Sequence, residues 1–322
     1  VAGSSRGIEN GLVRIVQAIE TGTDLGEGVF PGGKRREGSR DGTKTPTSDT
    51  PLRVRRIVGA PDLKLVDASW YMPADARDPA AEFEAAHIAG AVFFDIDGIR
   101  DADNPLPHML PSRQLFAEAM AKLGLSNQDA IIVYDGTGVF SAPRAWWTLR
   151  VFGHDNVAVL DGGLPAWRAA DHATVSGAPA PEAGMFSATF RPELVRSLAQ
   201  MRDNLASGGE QVVDARGSGR FDGVEPEIRP GVRSGHIPGS ANLPYPRLID
   251  GADNTLLTAD NLAAAFSAVG VDMSRPITTT CGSGISAAVL ALALHICGHQ
   301  DAAVYDGSWT EWGGRDDTPI ET

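Results

Sequence analysis

Cys281 has the most reactive setting of any side chain in this 322-residue sequence. It ends a β-rich run, PITTTC (Pro276 to Cys281), and is followed by Gly282-Ser283-Gly284-Ile285 and an apolar helical stretch starting near Ser286. Two glycines let the backbone curl so that several N–H groups face one point. The helix N-terminus adds positive potential there. A thiol in that cradle is expected to be a thiolate near neutral pH, and the same N–H groups can hold a developing anion. The plainer alternative is a core cysteine at a strand end. The strand-tip position, the Gly-x-Gly and the following helix favour a nucleophile.

Several cysteine chemistries fit poorly. A phosphatase-type loop needs an arginine six residues past the cysteine, where this chain has Ala287. Zinc needs clustered ligands; Cys281, His295, Cys297 and His299 lack paired spacing, and His295, Cys297 and His299 do not share a helix face. A thiol protease needs a paired histidine that nothing local supplies. Attack on a sulfur atom suits a lone thiolate, because no proton relay is needed to make the nucleophile. Cys297, about 24 Å further along a straight helix at ~1.5 Å per residue, is too far to resolve a disulfide and reads as a small hydrophobe. No metal, nucleotide or flavin is implied: the GSG at 217–219 and the GTG at 136–138 lack the full GxGxxG spacing.

The elements that must position Cys281 belong to an internal repeat. LVDAS, HIAGA, IIVYDGTG and VLDGGLPAW in the first half answer to VVDAR, HIPGS, TTTCGSG and VYDGSWTEW in the second. Spacings agree: Asp67 to His87 is 20 residues and Asp214 to His236 is 22, while Asp135 to Asp161 is 26 and Cys281 to Asp306 is 25. Asp135 stands where the second copy has Cys281, so the chemistry belongs to the second copy. Strands are expected at 64–69, 130–135, 157–163, 211–216, 276–281 and 302–308, with helices at 112–124 and 259–270 between them. Such alternation implies an α/β fold, two tandem domains each with a parallel sheet flanked by helices on both faces. The expected division is a disordered extension at 1–50, a domain without nucleophile at 51–172, a Pro/Ala/Gly-rich linker at 173–190 and a catalytic domain at 191–322. Within the extension, Leu12 to Ile19 is the one candidate helix.

Composition narrows the partners. A formal charge of −13 without a long basic run argues against nucleic acid and anionic membranes. The longest apolar run, Ala287 to Cys297, is about half of the ~20 residues a bilayer span needs. Two cysteines exclude a disulfide framework and favour a reducing, cytoplasmic setting.

Long ordered motifs carry a family resemblance: HIAGAVFFDID (His87 to Asp97), LPHMLPS (Leu106 to Ser112), YDGTGVFSAPRAWW (Tyr134 to Trp147), GRFDGVEPEIRPGVRSGHIPGS (Gly219 to Ser240), CGSGIS (Cys281 to Ser286) and YDGSWTEW (Tyr305 to Trp312). Over about four fifths of its length the chain resembles the tandem rhodanese-fold sulfurtransferases. The resemblance implies that Cys281 takes a sulfur atom as a persulfide and passes it to an acceptor: thioredoxin, a small thiol or cyanide. Members that use thiosulfate carry basic residues directly after the cysteine; CGSGIS is uncharged and resembles members that use 3-mercaptopyruvate, with Ser286 where they usually have Thr. Thiosulfate:cyanide transfer and a non-catalytic sulfur carrier are the alternatives. The resemblance further implies Arg220 and Arg229 as carboxylate-binding residues, with Ser283, His108 and Asp97 as a proton-handling set at the domain interface. Arg233 is a further source of positive potential, and Gly282, Gly284, Ile285 and Ser286 are expected to line the site. Without the resemblance, the arginines read equally well as surface partners of Asp222, Glu225 and Glu227. His87, His236, Asp67 and Asp214 recur in both copies and read as structural.

Overall fold

The computed structural model describes residues 63–322 together with the strand Ile15–Val16. Strands among the described residues are β1 (Ile15–Val16), β2 (Leu63–Asp67), β3 (Ala91–Phe93), β4 (Ala130–Tyr134) and β5 (Val157–Leu160), then β6 (Val195–Arg196), β7 (Gln211–Asp214), β8 (Ala241–Asn242), β9 (Ile277–Thr280) and β10 (Ala303–Tyr305). Helices are α1 (Pro79–Ala85), α2 (Arg113–Lys122), α3 (Ala142–Val151), α4 (Gly163–Ala169), α5 (Leu198–Ser207), α6 (Ser218–Phe221), α7 (Ala259–Ala268), α8 (Ile285–Ile296) and α9 (Ser308–Gly313). The apolar runs fold as strands because sheets covered on both faces need residues that are buried on both. Helix α2 starts where Ser112 caps the Leu115 N–H at 3.2 Å, and the chain leaves it through Gly124 in the left-handed region.

Two five-stranded sheets result, ordered β1-β5-β4-β2-β3 and β6-β10-β9-β7-β8. All pairings are parallel except one: β1 runs antiparallel on β5, with Ile15 opposite Leu160. That corrects the expectation of a helix near Leu12 to Ile19. An isoleucine–valine pair suits an open sheet edge, where the backbone groups of β5 otherwise lack partners. The rest of 1–50 lies outside the described residues, as does 51–62. The stretch 173–190 contains neither helix nor strand and runs along the first domain, where Gly184 donates to Ala121 and Thr189 to Phe152.

The repeat has a nearly constant offset of 146 residues in its functional half. Ser112 and Thr258 cap corresponding helices, and Gly124 and Gly270 follow them with φ +74° and +81°. Each domain has a small apolar cluster of its own, around Phe83 and Trp167 in the first and around Trp309 and Trp312 in the second, but the largest is shared. One apolar cluster runs from Val66 to Val304 through α3 and α8. All ten residues of α3 and ten of the twelve of α8 are buried, as expected of helices that face protein all round. Trp146, Trp147, Trp309 and Trp312 are core residues. His87 and His236 are structural in the same way: each bonds a backbone oxygen, of Phe83 (2.8 Å) and Phe221 (2.9 Å), and stacks on that phenylalanine. Among the described residues no helix is long and apolar enough to cross a membrane.

Candidate active site

Strand β9 delivers Cys281 to the C-terminal edge of the second sheet, the usual place for ligands in parallel α/β sheets. The loop that follows is held from behind. Trp309 and Thr310 at the start of α9 donate backbone N–H groups to the carbonyls of Cys281 (2.8 Å) and Gly282 (2.9 Å), and the Thr310 hydroxyl adds a bond to Gly282 O. Gly284 has φ +82°, which turns its N–H onto Cys281 Sγ at 3.1 Å. Its missing side chain matters as well, since a Cβ there would lie 2.6 Å from Arg144 Nη1. Helix α8 begins at Ile285, so the N–H groups of its first turn have no intrahelical partner.

The first domain shows what such a turn holds when it is filled. Asp135, 146 residues before Cys281, accepts backbone N–H groups of Thr137 and Gly138 on one oxygen, and of Phe140, Ser141 and Ala142 on the other, all at 2.8–3.0 Å. The Thr137 hydroxyl adds a further bond. A fixed carboxylate thus occupies the anion nest of the first copy. In the second copy the same turn surrounds a thiol and opens to a cleft.

That cleft, of about 190 Å³, lies between the domains. Trp70, Met72 and Phe140 of the first domain wall one side; Cys281, Gly282, Ser283, Ile285 and Ser286 form the floor. Arg216, Arg220, Arg229 and Tyr245 complete it. The Arg229 guanidinium makes no hydrogen bond or ion pair among the described residues. Burial pushes it down from its ordinary value, opposed chiefly by the charge of Cys281 nearby, and it stays a cation. Arg220 is tethered: its Nη2 donates to Glu227 Oε2 at 2.5 Å. A Cβ on Gly282 would lie 3.3 Å from Arg220 Nη2 and 3.9 Å from Arg229 Nη1, so both guanidinium groups reach the cysteine loop. The Ser283 hydroxyl has no partner among the described residues.

His108 and Asp97 form a pair beside the cleft rather than in its lining. His108 Nδ1 lies 2.9 Å from Asp97 Oδ1, at an angle poor for a hydrogen bond, and Nε2 is buried without a partner. Trp70 Nε1 donates to the other Asp97 oxygen at 2.9 Å, and its ring stands edge-on to the His108 ring. Burial lowers the His108 pKa, against the pull of Asp97. The contact with His108 lowers that of Asp97. His108 has φ +60°, as does Asn254, its counterpart in the repeat. Asn254 packs on Gly138 of the Asp135 turn, and His108 belongs to the matching arm that crosses to the Cys281 turn.

The expected role for Arg233 is not met. Its guanidinium is spent on the carbonyls of Trp312, Gly313 and Thr318 and on the Thr318 hydroxyl, away from the cleft. Gly284 sits behind the floor, its carbonyl accepting from Arg144 Nη1 at 3.3 Å. Arg144 was not singled out in the sequence, and Asp306 was read only as a landmark of the repeat. Arg144 is buried, bonds Asp306 Oδ1 at 2.7 Å and also donates to His108 O. The signal was a charged residue, Arg144, near the start of a helix rich in apolar residues. Cys297 is half-buried, its Sγ 3.6 Å from Ala259 O. Among the described residues no three His, Cys, Asp or Glu side chains converge as metal ligands.

Known proteins share this architecture. The rhodanese-like domain profile matches residues 53–170 and again 197–315. Thiosulfate/3-mercaptopyruvate sulfurtransferase 1, mitochondrial, of Arabidopsis thaliana is 46% identical over 283 residues, which cover 81% of this chain and 74% of that protein. The 3-mercaptopyruvate sulfurtransferase of Escherichia coli K12 is 43% identical over 262 residues, covering 81% and 92%. The crystal structure of SseA from Escherichia coli, described with the rhodanese fold and catalytic mechanism of 3-mercaptopyruvate sulfotransferases, superposes with a TM-score of 0.73 at 40% identity, covering 80% of this chain and 96% of that one.

Proposed function

The chain belongs to the rhodanese family as a two-domain sulfurtransferase, and from that premise we propose that it moves sulfur from 3-mercaptopyruvate to an acceptor through a persulfide on Cys281. The carrying observation is the cysteine turn: a thiol in an open anion nest, with one unpaired guanidinium, Arg229, in the same cleft. The loop CGSGIS brings no positive charge of its own, which favours a donor with one carboxylate over dianionic thiosulfate.

In the first half-reaction the Cys281 thiolate attacks the donor sulfur. An S–S bond forms, the C–S bond breaks, and its electron pair leaves on carbon as pyruvate enolate. The enolate takes one proton to become pyruvate. Arg229, assisted by Arg220, holds the carboxylate. The free Ser283 hydroxyl is the group on the floor that can pass that proton, with His108 and Asp97 as its reserve. In the second half-reaction an acceptor thiolate or cyanide attacks the outer sulfur, and the thiolate of Cys281 is restored. Thioredoxin, a small thiol and cyanide all meet that requirement. Two cysteines that remain free suit work in a reducing compartment such as the cytoplasm.

Intact-mass measurement of the reduced protein after brief exposure to 3-mercaptopyruvate, with thiosulfate in parallel, tests this reading. The expected result is a gain of one sulfur from mercaptopyruvate, mapped to Cys281, discharged by added thiol and absent in Cys281→Ser. A gain from thiosulfate alone would reverse the donor assignment. Normal turnover by Cys281→Ser would end the persulfide mechanism.

A further inference from the structure

Three guanidinium groups wall the cleft, and their charges are not equally balanced. Arg216 is buried; it makes a forked bond to Asp214 (2.7–3.1 Å), donates to Gly235 O at 2.8 Å, and lies 4.4 Å from the Trp309 ring centroid. Its remaining nitrogen, Nη1, donates to Glu227 Oε1 at 2.6 Å. The other oxygen of Glu227 takes Arg220 Nη2. The Glu227 side chain is only 4% exposed, so its charge is not dissipated by water. Two carboxylates, Asp214 and Glu227, therefore stand against three cations, so the walls carry one positive charge beyond their own carboxylates, at Arg229, where it also feels the charge of Cys281. The other carboxylate whose field reaches Arg229 is Asp97, which is more than half exposed and engaged by His108 and Trp70.

We propose that Glu227 is a specificity-determining residue that sets the charge of the sulfur donor. With Glu227 ionised the cleft walls carry one cation beyond their own carboxylates, which favours a donor with the single carboxylate of mercaptopyruvate. A dianion such as thiosulfate brings one negative charge more to the same walls. Glu227 touches neither the donor nor Cys281; it acts by neutralising and anchoring Arg220. This inference rests on the sulfurtransferase reading above, and adds to it which side chain discriminates between donors. The discrimination is a difference between two affinities, produced partly by a repulsive element.

The test is kcat/KM of the full chain for both donors, in wild type, Glu227→Gln and Glu227→Asp, at low and high salt. Glu227→Gln should raise the thiosulfate-to-mercaptopyruvate ratio by about tenfold or more, mainly through a lower KM for thiosulfate, and added salt should shrink the change. Glu227→Asp keeps the charge and should keep the wild-type ratio to within about threefold. The double variant Arg220→Gln/Glu227→Gln removes one charge of each sign, so its ratio should return to that of wild type. It adds no unmatched buried charge, and it carries the test if the single variant does not fold. A ratio unchanged in a folded Glu227→Gln, or raised equally in Glu227→Asp or in the double variant, would overturn the role of Glu227 charge. Failure of wild type to load Cys281 from either donor would instead overturn the function on which it rests.

Discussion

At the scale of single residues, the two arginines proposed to bind the donor differ. Arg229 is unpaired and faces Cys281, whereas Arg220 is already bonded to Glu227. Arg229→Ala should therefore cost more than Arg220→Ala with mercaptopyruvate. The loss of a charge-assisted hydrogen bond, about 1.5–3 kcal/mol, corresponds to roughly 10–150-fold in kcat/KM. With an uncharged sulfur donor both variants should stay near wild type. Equal losses on charged and uncharged donors would remove the arginines from carboxylate binding. Cys281 stood out through its Gly-x-Gly turn and the helix that follows, whereas Ser283, Arg220 and Arg229 were singled out only through the family resemblance. Arg233 looked equivalent, but its partners are the carbonyls of 312, 313 and 318, some 80 residues away in sequence. Glu227 read as a surface acid because burial is not visible in a run such as GVEPEIRPG.

At the scale of elements, the two turns after β4 and β9 are one structure with two contents. Asp135 satisfies five backbone N–H groups that would otherwise be stranded under the first domain's α3. Asp135→Asn keeps the shape but turns an amide toward one group of those donors. It should cost about 1–3 kcal/mol, the penalty of leaving buried donors unmet. The urea midpoint should fall accordingly, while the folded fraction still loads Cys281 with sulfur. An unchanged midpoint would show that the bonds to Asp135 contribute nothing. The strands bearing these turns were readable, β4 as an apolar run and β9 as a β-branched one, and the helix after Cys281 was readable as an apolar stretch. The edge strands β1, β3, β6 and β8 were not: two or three residues are too few for a periodic pattern to register.

At the scale of the whole molecule, the domains are joined by a reciprocal exchange of contacts and by the α3–α8 seam. His295, near the end of α8, is buried against Trp146. Burial, reinforced by Arg150, pushes its pKa down to about 4 from 6.5. The unfolded chain takes up this proton near pH 6.5 and the folded chain only near pH 4. Stability from this site is thus complete above the unfolded value and is lost as pH falls through that window, by up to about 3 kcal/mol. Asp67, pushed up to about 6 by burial, works in the opposite direction over nearly the same range. The comparison must therefore be with His295→Gln, whose urea midpoint should fall less than that of wild type between pH 7 and 4.5; parallel profiles would exclude His295. The reciprocal exchange was half visible. The sequence aligned Asp161 with Asp306, but not that each accepts a backbone N–H of the other domain: Asp161 from Leu256 at 2.7 Å, Asp306 from Leu110 at 2.8 Å. The second crossing has an arginine at its centre. Arg144 joins Asp306, the carbonyl of His108 and the carbonyl of Gly284, and so fixes the proposed proton-handling arm against the nucleophile's turn. Lysine retains the charge there but cannot span three acceptors in a plane. Arg144→Lys should lower kcat with mercaptopyruvate by about tenfold or more while leaving KM within about threefold, because Arg144 does not line the cleft that holds Arg220 and Arg229. Asp306→Asn leaves the buried cation unmatched and should destabilise by about 3–5 kcal/mol. Steady-state kinetics alongside urea unfolding separates the two effects. A stably folded Arg144→Lys with normal kcat would reduce the crossing to packing, and alignment of the two active-site halves would then have to come from the shared apolar core alone.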